Sequence, residues 1–245
     1  MSTPSWSVRP LCVPKIPANK LKLSSLRNIS VLNYQKDGEV AVIHIDDGKA
    51  NAINHTFIEE LTEALERSRN EASAVALFGR PGRFSAGFDL SVVGDGGTAA
   101  QTLVAAGGRM LKTIYSHPQP LVIGCTGHAI AAGALILLAA DSRIGAAGDF
   151  KIGLNETTIG AVLPRFALAL ADDRLSKRHH TAAIIQAHLY DPIGAVDAGF
   201  LDLVVEPNAL MEDTLAEASR LAELPSAAYA GNKIALRTPF IERMA

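Results

Sequence analysis

Alternation and helical periodicity organise the chain from residue 39 onward. Residues 39–46 (EVAVIHID) are rich in β-branched side chains and predict a strand, and Asp47-Gly48 behind them is a turn signal. Phe57, Ile58, Leu61, Ala64 and Leu65 recur at helical spacing, so 56–69 reads as a helix, with Thr56 and Glu59 in capping-box form. A short buried strand is expected at 74–78, then a Gly/Pro/Ser loop over 79–87. The pattern continues with a helix at 101–116, a strand at 120–125, an apolar helix from Ala131 and a strand at 142–146. Residues 175–189 read as helical and 201–205 as a strand, and two helices over 209–222 and 226–237 finish the chain. Strands alternating with helices indicate α/β architecture. No internal repeat and no linker divides the sequence after residue 37.

Composition narrows the class. At 245 residues with 48% hydrophobic and 20% charged side chains, the chain has the profile of a globular protein. A net charge of −2 without a run of Lys or Arg argues against nucleic acid as a partner. The longest apolar run, 129–140, is too short to span a bilayer, so it reads as a buried helix and no membrane is expected. Cys12 and Cys125 lie too far apart for a metal motif and read as two unpaired thiols in a reducing compartment. His179, His180 and His188 have no carboxylate or Cys at ligand spacing, so no metal is expected.

Residues 1–36 carry Arg9, Lys15, Lys20, Lys22, Arg27 and Lys36 and no acidic residue. A basic, acid-poor start resembles an organelle transit segment, but Pro4, Pro10, Pro14 and Pro17 would break its helix. Residues 1–32 are therefore expected to form a disordered extension, or to reflect a start placed too far upstream. The expected location is cytoplasmic, or mitochondrial if the extension is a transit segment. The folded domain is expected over 33–245.

Three segments can carry chemistry: RFSAGFDL at 83–90, GHAIAAG at 127–133 and GLNETTIG at 153–160. The first two are strand-to-helix junctions in which glycine permits a tight turn. Both leave free N–H groups at a helix start, where the dipole favours negative charge. Two such junctions facing each other would form an oxyanion hole. Singly each is weak, because Gly-rich turns are commonly made for packing. Glu156, in the third segment, reads on its own as a solvated loop carboxylate. The sequence has no G-x-S-x-G, Walker or G-x-G-x-x-G pattern.

In order and spacing, the three segments resemble the crotonase (enoyl-CoA hydratase/isomerase) superfamily. FSAGFDL is similar to its A-G-x-D-[LI] signature, GKANAIN at 48–54 to its “ALN” segment, and GLNE to its 3-enoyl-CoA isomerase branch and to bacterial crotonase-like proteins. The resemblance implies a spiral of ββα units with C-terminal helices, assembled as a homotrimer or dimer of trimers. It also implies an acyl-CoA thioester substrate, with no cofactor beyond the coenzyme A of that substrate. Carried over by position, it assigns the Phe88 and Ala132 N–H groups to the thioester oxygen and Glu156 to acid/base work. Lys49, Ala50, Ala52, Ser85 and Ala86 would line the path of the adenine and pantetheine. Lys233 reads as a solvated helix lysine or, less simply, as a phosphate contact. Leu135 stands where hydratases carry a second glutamate and would border the same pocket. One remaining carboxylate favours shifting a double bond from 3-enoyl-CoA to 2-enoyl-CoA; hydration of a 2-enoyl-CoA and non-catalytic acyl-CoA binding are the alternatives.

Overall fold

The computed structural model describes residues 30–94 and 96–245. Cys12 and the expected extension up to residue 29 lie outside them. Ser30 Oγ and Val31 N–H both donate to Glu60 Oε2 (2.9 and 3.0 Å). Strand β1 (Leu32–Asp37) follows and runs antiparallel to β2 (Val40–Ile45). β1 escaped the sequence reading because it is a mostly exposed, polar edge strand.

From β2 the chain winds in turns of strand, shorter strand and helix. The first is β2, β3 (Ala52–Ile53) and α1 (His55–Glu71). The second is β4 (Ala74–Phe78), the pair β5 (Gly82–Ser85) and β6 (Gly87–Phe88), then α2 (Leu90–Val93) and α3 (Gly97–Tyr115). The third is β7 (Leu121–Cys125), β8 (Gly127–Ile130) and α4 (Ala132–Ala139). The fourth is β9 (Ser142–Ala146), β10 (Ile152–Gly153) and, after a 3-10 turn at Glu156–Ile159, α5 (Arg165–Arg174). A 3-10 turn (Lys177–His179), a π turn (Thr181–Ile185), α6 (Pro192–Ala198), β11 (Leu203–Val205), α7 (Leu210–Ala222) and α8 (Ser226–Arg243) complete the chain. This is the expected α/β spiral with C-terminal helices.

The long strands form one sheet in the order β1-β2-β4-β7-β9-β11, parallel apart from the β1–β2 pair. Alternate side chains divide its two faces. Ala41, Ile43, Val75, Leu77 and Ile123 join the core under α1, α3 and α4. Val40, Val42, Ala74, Ala76 and Val122 pack with Leu210, Ala218 and Leu221 of α7. Both faces are covered, so β4 and β7 are buried throughout and read as continuous apolar runs. Cys125 is a free thiol in this core, pushed up to about 12 by burial.

Several sequence expectations need correction. The α1 cap is Asn54, whose side chain accepts from Phe57 N–H at 2.9 Å, so the Thr56–Glu59 box is not formed. The expected loop 79–87 contains β5 and the first residue of β6, both strands too short for periodicity to reveal. The apolar run 129–140 is not all helix, because its first two residues belong to β8. Residues 175–189 do not form an α-helix. The stretch holds only the 3-10 and π turns, and just beyond it Tyr190 exchanges backbone hydrogen bonds with Ile152 (both 2.9 Å), which ends the helical path in a sheet bridge. The helix that follows, α6, carries an unread start signal: Asp191 accepts from Gly194 N–H at 2.7 Å and Pro192 occupies the first turn.

Lys233 is neither solvated nor free for a phosphate. It is buried, and Nζ donates to His117 O and Gln119 O (both 2.7 Å) and to Asp141 Oδ2 (2.6 Å). Burial pushes its pKa down to about 8. Arg237 pairs with Asp141 Oδ1 at 3.0 Å and donates to Ala140 O at 3.1 Å, which ties α8 to the end of α4.

Candidate active site

The three motif segments converge because a small sheet, in the order β10-β8-β5, pairs them side by side. Ala129 N–H donates to Lys151 O (3.0 Å) and Ala131 N–H to Gly153 O (2.9 Å), which binds the third segment to the second. β6 pairs with β3 and so brings the 49–52 loop to the first segment.

Ala131, at φ 53°, turns the chain from β8 into α4. That conformation is unusual for a residue with a Cβ. No side chain caps the helix, and its first closed bond is Leu135 N–H to Ala131 O at 3.1 Å. The N–H groups of Ala132, Gly133 and Ala134 therefore lack intrahelical acceptors at the positive end of the dipole. The first segment presses on this helix start. A Cβ on Gly87 (φ 87°) would lie 3.2 Å from Ala132 N, and one on Gly133 would lie 2.4 Å from Ser85 O. Both positions demand glycine for close approach. The Gly87 backbone, one residue before Phe88, thus lies against the Ala132 N–H.

Three residues beyond β10 stands Glu156. The residue is half-buried, yet its Oε2 is shut off from solvent and has no hydrogen-bond partner in the protein. Burial raises its pKa, against a smaller lowering by the backbone N–H groups of Glu156 and Asn155. A carboxylate with a raised pKa and one oxygen free of partners is suited to take and return a proton. By contrast, every residue of α4 is apolar and buried, Leu135 included.

A cleft of about 290 Å³ runs past these segments, lined by Ala50, Ala86, Ile130, Asn155 and Leu189 with the basic residues Arg83, His128 and Lys151. Of the expected substrate-path residues, Ala50 and Ala86 line it. Lys49 does not: its side chain is exposed, and its carbonyl accepts from Arg80 at 3.0 Å. Ala52 is paired with Gly87 across β3–β6. Ser85 is buried, with Oγ donating to Asn51 O at 2.8 Å and accepting from Gly87 N–H at 3.2 Å. Its role is to hold the turn. A larger cleft of about 430 Å³ beside α8 contains none of the three segments.

Asn51 is the residue that sequence reasoning missed. It is fully buried at φ 53°, and Nδ2 donates to Ile45 O (3.0 Å) and Phe84 O (3.1 Å). It clamps the 49–52 loop onto β5. The available signal was a polar, left-handed-tolerant side chain between Ala50 and Ala52. His179 is occupied locally, by Tyr190 OH (3.1 Å) and Asp197 Oδ2 (3.0 Å). No helix of the described residues is long and apolar enough to cross a membrane.

A spiral of ββα turns around a buried helix start, with one shielded carboxylate beside it, defines an enzyme of the crotonase fold. The chain belongs to the enoyl-CoA hydratase/isomerase family, whose sequence profile matches residues 35–244. An enoyl-CoA hydratase/isomerase family protein of Pseudomonas syringae superposes with a TM-score of 0.85 at 38% identity, covering 87% of this chain and 93% of that one. A probable enoyl-CoA hydratase of Mycobacterium avium is 28% identical over 91% of this chain and 89% of its own. Human mitochondrial enoyl-CoA delta isomerase 1 is 27% identical over 84% of this chain and 70% of its own. The relatives carry both the hydratase and the isomerase names.

Proposed function

We propose that this enzyme moves the double bond of a 3-enoyl-CoA to the 2-position, with Glu156 as the single proton carrier. The observation that carries the reading is the buried Glu156 Oε2, which has no partner in the protein. The thioester oxygen accepts from Phe88 N–H and Ala132 N–H, each such donor contributing about 3 kcal/mol to lowering the barrier. Glu156 removes a proton from the α carbon, the C–H electron pair passes into a dienolate, and the same proton returns to the γ carbon. No net proton is consumed, so one carboxylate suffices. Hydration adds water across the bond and needs a second group to deliver or receive a proton, and α4 offers only apolar side chains there. Exposed Ile159, Val162 and Ile185 around the Glu156 turn support a subunit contact, in keeping with assembly as trimers.

The test is incubation with 3-enoyl- and 2-enoyl-CoA thioesters, products being resolved by mass and double-bond position. Conversion of the 3-enoyl substrate without mass change, faster than addition of water to the 2-enoyl one, is expected. Faster hydration would overturn the isomerase reading, and no turnover of either substrate would leave a non-catalytic acyl-CoA binder.

A further inference from the structure

A groove of about 610 Å³ lies between α1 and α3, and none of the three motif segments lines it. Its lining is apolar where it is deepest: Ile58 of α1 and Ala106 and Met110 of α3 are all nearly buried. Its α1 edge is acidic, with Glu59, Glu63 and Glu66 exposed, while Arg109 stands on the α3 edge. The three glutamates follow at four- and three-residue spacing, so they share one face of α1 and repel one another. Glu66 is relieved by Arg69 at 2.9 Å. Glu59 and Glu63 enter no ion pair among the described residues. An apolar groove with a charged rim has the form of an interaction surface.

The chain itself supplies a segment of matching chemistry. Residues 1–29 carry five basic side chains and no acidic one. Within them, 20–27 reads KLKLSSLR, which sets Leu21, Leu23 and Leu26 among Lys20, Lys22 and Arg27. This segment also enters the described fold at the right helix. Ser30 Oγ and Val31 N–H both donate to Glu60 of α1, the neighbour of Glu59 in sequence. Helix α1 touches β1 on one flank and α3 on the other. A chain arriving at Glu60 therefore has only the outer face of α1 to cross, about 10–12 Å wide with its side chains. Residues 26–29, if extended, span ~13 Å, enough to bring the stretch before them over the groove. Opposite charges on the two surfaces then favour this pairing over other parts of the fold.

We infer that residues 20–27 of the same chain dock in the α1–α3 groove, with leucines on Ile58, Ala106 and Met110 and lysines on Glu59 and Glu63. Part of the extension expected to be disordered is thereby seated on the fold. The first test is brief trypsin digestion of the full chain, which offers cleavage after Lys15, Lys20 and Lys22. Lys15 precedes the docked stretch and serves as the internal reference. Cleavage after Lys20 and Lys22 should run about tenfold slower, relative to Lys15, in wild type than in Glu59→Gln/Glu63→Gln, because the protease takes only the undocked population. Both substituted side chains are exposed, so the variant keeps its fold. The second test identifies the occupant by disulfide trapping in a Cys12→Ser background. Lys22→Cys/Glu63→Cys should close an intrachain bond under mild oxidation. Lys22→Cys/Glu206→Cys should not, since Glu206 follows β11 at the opposite edge of the sheet from β1. Equal relative cleavage in wild type and the glutamine variant, or trapping no better than in the control pair, overturns the inference. Covalent dimers in place of the intrachain bond assign the groove to a second copy and overturn it as well.

Discussion

Gly87→Ala tests whether the first segment and the α4 start form one site. Gly87 sits at φ 87°, and a methyl there would come within 2.9 Å of Ile130 O, 3.0 Å of Ala131 Cβ and 3.2 Å of Ala132 N. The left-handed backbone costs a residue with a Cβ roughly 1–2 kcal/mol. Relieving the close contacts costs roughly 1–3 kcal/mol more, because the neighbours are backbone atoms and a short side chain that cannot swing away. A loss of about 3 kcal/mol in urea unfolding is expected. The push falls on the Ala131–Ala132 junction, so the folded variant should also lose turnover by about 10²-fold, the scale for one displaced oxyanion donor. Both are read on the same preparation, with turnover corrected for the folded fraction. A folded Gly87→Ala variant with wild-type turnover would refute the assignment of Ala132 N–H to the reacting oxygen.

Other consequences can be checked in parallel. Because burial raises the Glu156 pKa and the base form is the active one, turnover should fall with acidity along a limb lying above the ordinary carboxylate range; a limb at the ordinary value would contradict the desolvated site. The same shift means that the charged form is disfavoured in the fold. Glu156→Gln should therefore melt higher than wild type once pH exceeds the Glu156 folded pKa, and the two should converge below the unfolded value. Lys233→Met removes one partner of buried Asp141 while Arg237 remains, and should cost about 3 kcal/mol in denaturant unfolding; a neutral change would show that the ion cluster does not fasten α8. Leu135→Glu should raise the ratio of hydration to isomerisation in the folded variant, at some cost in stability from a buried carboxylate. A ratio equal to wild type would separate position 135 from reaction choice.

Much of the fold was legible because covered strands and amphipathic helices leave long periodic traces. The 74–78 and 120–125 runs and the α7 and α8 patterns correspond to observed elements. The small sheet was not legible, since its strands run two to four residues and are specified by pairing between distant segments. That same sheet joins the site, so the motifs could be named from sequence while their contact could not. Asn51 and the Lys233–Asp141–Arg237 cluster were invisible for a related reason: a buried polar residue and a solvated one look alike until their partners are known. The helix expected over 226–237 runs on to Arg243, with Pro239 inside it.

The most direct test of proton transfer by Glu156 is turnover and binding by Glu156→Gln. The amide has nearly the volume of the carboxylate and leaves the Phe88 and Ala132 N–H groups in place. Turnover of a 3-enoyl-CoA should fall by about 10³-fold while the thioester still binds with near wild-type affinity. Turnover at the wild-type rate in the purified variant would contradict Glu156 as the base.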